Sequence, residues 1–172
     1  MTLPYLEPLV PRAPGPRTVP EPPRRGEPGG PPCGVCPGSR NEHTIWMNDH
    51  WILNHGVETS LPGAVWLATR DHVDSFVDLP GERATEFGPL VARIERALLQ
   101  LGDVGRVHLY RWGDGGAHFH VWLLPRPLGM LDAEKMMLPL WEDVLPKASA
   151  EAIDRAKTSI AQSLRKDETG AS

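Results

Sequence analysis

Apolar residues recur at steps of three and four through Ala84, Phe87, Leu90, Val91, Ile94, Ala97, Leu98 and Leu101. That period predicts an amphipathic helix, with Arg83, Glu86, Arg93, Glu95 and Arg96 on its other face. Gly102 is expected to end it, and Pro89 inside the pattern to kink it or mark its true start. A second helical pattern, Ile153, Ala156, Ile160 and Leu164, follows Ser149, a good N-cap. Elsewhere the apolar runs are short and rich in β-formers. Residues 44–48 and 51–54 flank a turn at Asn48-Asp49, and 64–69 follow a turn at Pro62-Gly63. Residues 106–112 and 117–124 are separated by Gly113-Asp114-Gly115-Gly116. The order β-β-β-α-β-β-α, with hairpin-length links, predicts an α+β fold: a five-stranded antiparallel sheet with a helix on one face, plus a C-terminal helix.

Neither period appears in residues 1–32, which hold eleven of the nineteen prolines, with Gly15, Gly26, Gly29 and Gly30 among them. Proline fixes φ and removes a donor, so this segment is expected to be a disordered, partly extended tail. It is an idle tail or a Pro-rich docking arm. Three parts result: 1–32 tail, 33–130 globular domain, 131–172 C-terminal extension with its amphipathic helix. The length of 172 residues suits one domain able to bury a core without disulfides. A net charge of −4 argues against a nucleic-acid coat, and no basic stripe accompanies the six tryptophans, so no nucleic-acid partner is expected. A small phosphorylated ligand stays compatible with that balance. Two cysteines make no disulfide framework. No run approaches the ~20 apolar residues of a membrane span, and the N-terminus does not read as a secretory signal. Residence in the cytoplasm, with reduced thiols and no membrane partner, is the expectation.

Two features add chemistry. In a strand over 117–124, alternation puts His118, His120, Trp122 and Leu124 on one face and Phe119, Val121 and Leu123 on the core side. Two imidazoles two residues apart either serve one small site or sit on a solvated sheet face. The second feature is Cys33-Gly34-Val35-Cys36. Such a pair holds a zinc through both thiolates when two further ligands complete the tetrahedron. A redox pair would favour a strand-to-helix junction, whereas Pro31-Pro32 and Pro37-Gly38 make this a loop.

The segment from Gly115 to Arg126, with its preceding glycines, its His118-Phe119-His120 spacing and its Leu124-Pro125-Arg126 ending, resembles the signature strand of the histidine triad superfamily. That superfamily includes dinucleoside polyphosphate hydrolases, nucleoside phosphoramidases and the galactose-1-phosphate uridylyltransferases. Residues 62–72, ending in Arg70-Asp71-His72, resemble the family strand that closes on a basic residue and a His. Asp78-Leu79 before the long helix and the Cys33/Cys36 pair fit as well. The resemblance spans roughly residues 33–127 and points to the zinc-containing or uridylyltransferase-like branch.

The resemblance implies roles. Cys33, Cys36, His72 and His118 would hold a Zn2+ ion, a filled and therefore structural set. His120 would be the nucleophile, attacking a nucleotide α-phosphorus to give a nucleotidyl-histidine that water or another acceptor resolves. Its second ring nitrogen would be held by a backbone carbonyl. Gly115 and Gly116 form a phosphate cradle or a plain hairpin turn. Arg111 and Arg126 flank the site as phosphate partners or as surface charges, and Asn54 falls where the family meets the ribose. Trp122 departs from the family pattern, which has a third His, or a Gln in the transferases. It replaces a compact polar group by a bulky ring with a single N–H donor. The implied activity is that of a nucleotide hydrolase or nucleotidyltransferase acting on a phosphoester, phosphoanhydride or phosphoramidate. The alternative is a catalytically inactive, zinc-stabilised nucleotide- or ligand-binding module. A homodimer is expected, because the family pairs two such sheets and open sheets need their edges covered.

Overall fold

The structure, a computed structural model, describes residues 3–5, 13–36 and 40–169. Its centre is one antiparallel sheet in the order β1-β2-β3-β5-β4. The strands are β1 (Thr44–Met47), β2 (Trp51–His55), β3 (Val65–Thr69), β4 (Val104–Tyr110) and β5 (His120–Pro127). The β1–β2 turn is closed by Asn48, whose side-chain oxygen accepts the backbone N–H groups of His50 and Trp51 at 2.9 and 2.7 Å. The turn before β3 needs Gly63, at φ +94°, where a Cβ would fall 2.6 Å from Leu101 Cδ1.

Helix α1 (Gly81–Leu99) covers one face of the sheet, burying Leu90, Ile94, Ala97 and Leu98. It starts well before Pro89, so the proline sits inside a continuous helix rather than at its beginning. Helix α3 (Ala150–Thr169) packs on the same side. Ser149 caps it as expected, its hydroxyl accepting the Ala152 N–H at 3.3 Å. Ile160 and Leu164 join Trp51, Leu53, Leu67, Phe119, Val121 and Leu123 in the main core. Phe119, Val121 and Leu123 therefore face the helices, as the alternation predicts.

Three features differ from the sequence reading. First, α2 (Met137–Val144) was not anticipated. Its eight residues and two leucines leave too short a pattern for a helical period to stand out. It lies over the other sheet face, where Leu138 and Trp141 meet Leu124, Ala64, Tyr110 and Trp122 in a second core. Second, β4 stops at Tyr110 and β5 begins only at His120. Third, residues 24–32 are not a free tail. Ala117 N–H donates to the Arg25 carbonyl at 2.8 Å, and Arg25 forms a parallel bridge with Gly116. Arg24 joins Asp74 at 2.5 Å, Glu27 at 2.5 Å and the Gly113 carbonyl at 2.9 Å. This strap over the signature loop is held by polar bonds, which a reading of prolines and apolar content does not register. Among the described residues no helix is long and apolar enough to cross a membrane.

Candidate metal centre and candidate active site

Cys33, Cys36, His72 and His118 meet at the N-terminal end of β5. Each offers one ligand atom, and all four atoms lie within 4.8 Å of one another. His118 is 3% exposed. Its Nε2 lies 2.8 Å from the Thr69 carbonyl, which as an acceptor fixes the N–H there and leaves Nδ1 unprotonated. That Nδ1 stands 3.4 Å from both cysteine sulfurs, and His72 Nδ1 stands 3.4 Å from Cys36 Sγ. A thiolate and an imidazole bound to one tetrahedral metal ion are separated by about 3.5 Å, so these three spacings fit edges of such a tetrahedron.

The electrostatics agree. The N–H groups of Val35 and Cys36 point at Cys33 Sγ at 3.4 and 3.3 Å. Burial, with the neighbouring Cys33, pushes the Cys36 thiol up to about 11. Two adjacent thiolates are therefore unfavourable by themselves, and a bound divalent cation removes that cost. Burial also holds the His118 imidazole below its ordinary range, which keeps it neutral, the form a metal binds. Gly26 closes the cluster from the strap. It has φ +91°, and a Cβ there would fall 3.0 Å from His72 Cε1.

His120, the first residue of β5, is half-buried two residues after His118. Its Nδ1 lies 2.7 Å from the carbonyl of His118. The carbonyl accepts, so Nδ1 carries the proton and Nε2 keeps its lone pair, the arrangement a nucleophilic or basic imidazole requires. Cross-strand pairing sets its surroundings: Ala68 faces His120, and Trp66 faces Trp122. Trp66 stands edge-on to His120 at 6.5 Å and 6.4 Å from Trp122. Trp66 was not singled out from the sequence, although alternation in β3 and the β3–β5 register bring it to this face.

The other expected contacts are placed differently. Arg111 turns to the core side, 5.8 and 5.7 Å over the rings of Phe76 and Phe119, and donates to the Asp74 carbonyl at 2.7 Å. It belongs to the packing, not to the face that bears His120. Arg126 is buried and donates to the carbonyls of Pro127 and Met130. Asn54 is on the His120 face, opposite Trp66, but it is 1% exposed and accepts from the Thr44 hydroxyl at 2.8 Å. Gly116 is paired with the strap, whereas a Cβ on Gly115 would meet nothing within 4 Å among the described residues. The glycine turn is thus partly roofed by the chain's own backbone.

The sequence matches no family model and no curated protein. Solved structures do match. A histidine triad protein from Bradyrhizobium japonicum is 16% identical, with a TM-score of 0.58 over 71% of this chain and 91% of that one. A zinc-bound histidine triad family protein from Mycobacterium smegmatis is 14% identical, with a TM-score of 0.56 over 77% and 91% of the two chains. The fold is the histidine triad fold. Plasmodium falciparum diadenosine triphosphate hydrolase, solved with cyclomarin A, shares it at 14% identity and a TM-score of 0.54, over 74% of this chain and 80% of that one. In this chain the strap lies over the Cys/His cluster and α2 over the Trp122 end of β5.

Proposed function

We propose that the protein is a zinc-stabilised hydrolase or nucleotidyltransferase acting on nucleotides through His120. The orientation of the His120 ring carries this reading: the His118 carbonyl holds Nδ1–H and leaves Nε2 free. In the proposed step the Nε2 lone pair forms a bond to the α-phosphorus. The bond to the leaving group breaks with its electron pair, and the leaving group takes a proton from solvent. Water or a second acceptor then attacks the nucleotidyl-histidine and releases the imidazole. Zinc at Cys33, Cys36, His72 and His118 is structural in this scheme: four protein ligands leave no open position. Because His118 supplies both a ligand nitrogen and the carbonyl under His120, the metal end holds the nucleophile in register. The fold of nucleotide-processing neighbours supports a nucleotide-type substrate.

A homodimer and residence in the cytoplasm complete this reading. The seven-residue edge strand β4 is the surface the dimer would cover. The experiment is incubation with an α-labelled nucleoside phosphoramidate or dinucleoside polyphosphate, an acid quench and peptide mass analysis. A nucleotidyl adduct on His120, absent from His120→Asn, is the expected result. Turnover at the wild-type rate in His120→Asn would end the nucleophile assignment.

A second reading, an inactive zinc-stabilised ligand-binding module, is favoured by Trp122. Its indole is packed against the second core, which includes Leu124 and, from α2, Leu138, and stands beside Trp66 rather than offering a compact polar group to a phosphate. This reading predicts nucleotide binding with no adduct.

A further inference from the structure

The face that bears His120 does not end at Trp122. Beyond that ring a cavity of about 320 Å³ opens between β5, the loop after β2 and helix α2, within the size range of small-molecule pockets. Trp112, Trp122, Pro139 and Gly56 line it, and Glu142 and Asp143 at the end of α2 supply its charge. Among the described residues no Lys, Arg or His lines it. The rings are held from behind: Trp112 stacks on Tyr110 at 5.2 Å with planes 7° apart, and a Cβ on Gly56 would fall 3.3 Å from Trp122 Cζ3. Gly56 thus lets the indole lie against the backbone.

Two aromatic faces and two carboxylates without a lining cation repel phosphate and carboxylate. They attract a soft positive charge, because the ring faces carry negative electrostatic potential. Glu142 is partly committed, accepting the Ser60 N–H at 3.0 Å with Lys147 Nζ 4.0 Å away. Asp143 is exposed at the cavity edge. We infer that this cavity binds a small organic ammonium group, held over Trp112 and Trp122 with Asp143 and Glu142 as its counter-charges. The assignment is independent of any chemistry at His120.

The test is calorimetric titration of the full chain with choline, with its uncharged isostere 3,3-dimethylbutanol, with adenosine and with a trimethyl-lysine peptide. Choline should bind saturably and the isostere should not. Trp112→Ala, a change at a residue 49% exposed, should weaken choline roughly tenfold while the protein stays folded. Asp143→Asn, on the exposed rim, should weaken it roughly threefold. Equal affinity for the isostere, tighter binding of adenosine, or wild-type affinity in Trp112→Ala would each overturn the ammonium site. A trimethyl-lysine peptide bound more tightly than choline would overturn the small-molecule source.

Discussion

The two ends of the face that carries His120 are built by different physics. At the His118 end, side chains from three separate stretches converge: Cys33 and Cys36 from a loop, His72 from after β3, and His118 from before β5. The Thr69 carbonyl holds His118, backbone N–H groups point at the Cys33 sulfur, and the strap bonds the neighbouring Ala117. At the Trp122 end the contacts are ring on ring and ring on helix: Trp66, Trp122, Tyr110 and Trp112, with α2 laid over them. The first end depends on the relative placement of a few polar atoms, a geometry that a bound cation would stabilise. The second tolerates a range of packings and leaves a cavity. His120 stands between them, oriented by the first and walled by the second.

Removing a metal ligand should therefore have the largest effect. Cys33→Ser should lower metal content well below one equivalent per chain. It should also lower the melting temperature on the order of 10 °C, since binding free energy at such a site is folding free energy. Plasma emission analysis and a thermal melt read both, and a chelator should reproduce the loss in the wild type. Trp122→Ala should come next, at about 3 kcal/mol, from the lost ring and the cavity left under α2. Its metal content should stay at the wild-type level. A Trp122→Ala protein that lost metal in parallel with stability would show that the two ends are one cooperative unit.

Deleting residues 1–30 should cost about 2 kcal/mol, because it removes the Arg24 network and the Arg25 bridge to the signature loop. The shortened chain should also release metal to a chelator faster, since Gly26 no longer covers His72. Unchanged melting and metal retention would return the strap to the status of a tail.

Much of the His118 end was legible in the chain, and little of the Trp122 end. The Cys33/Cys36 pair is legible by its spacing alone, whereas His72 and His118 join it only through the resemblance to the histidine triad signature. Strand alternation likewise placed Phe119, Val121 and Leu123 in the core, because a period of two has no ambiguity of face. The strap was misjudged because prolines exclude ladders and helices but not polar docking, and Arg24 reaches Asp74 fifty residues away. Helix α2 escaped because Met137–Val144 is short and contains Pro139. It is stabilised by tertiary burial of Leu138, not by local propensity.

Arg111 provides the smallest and most discriminating test of the division. From sequence it stands beside the signature glycines and invites assignment to a phosphate. In the structure it lies on the far side of the sheet, over Phe76 and Phe119, bonded to the Asp74 carbonyl. Asp74 is also the partner of Arg24, so Arg111 belongs to the polar scaffold that holds the strap. Arg111→Ala should therefore cost about 1 kcal/mol of stability, from one hydrogen bond and two ring contacts, without changing nucleotide affinity. Arg111→Lys should recover little of it, because an ammonium does not lie flat between two rings while donating sideways. Denaturant unfolding and nucleotide titration on both variants separate the roles. Affinity that fell several-fold with stability intact would put Arg111 back at the phosphate and require the loop after β4 to turn over on binding.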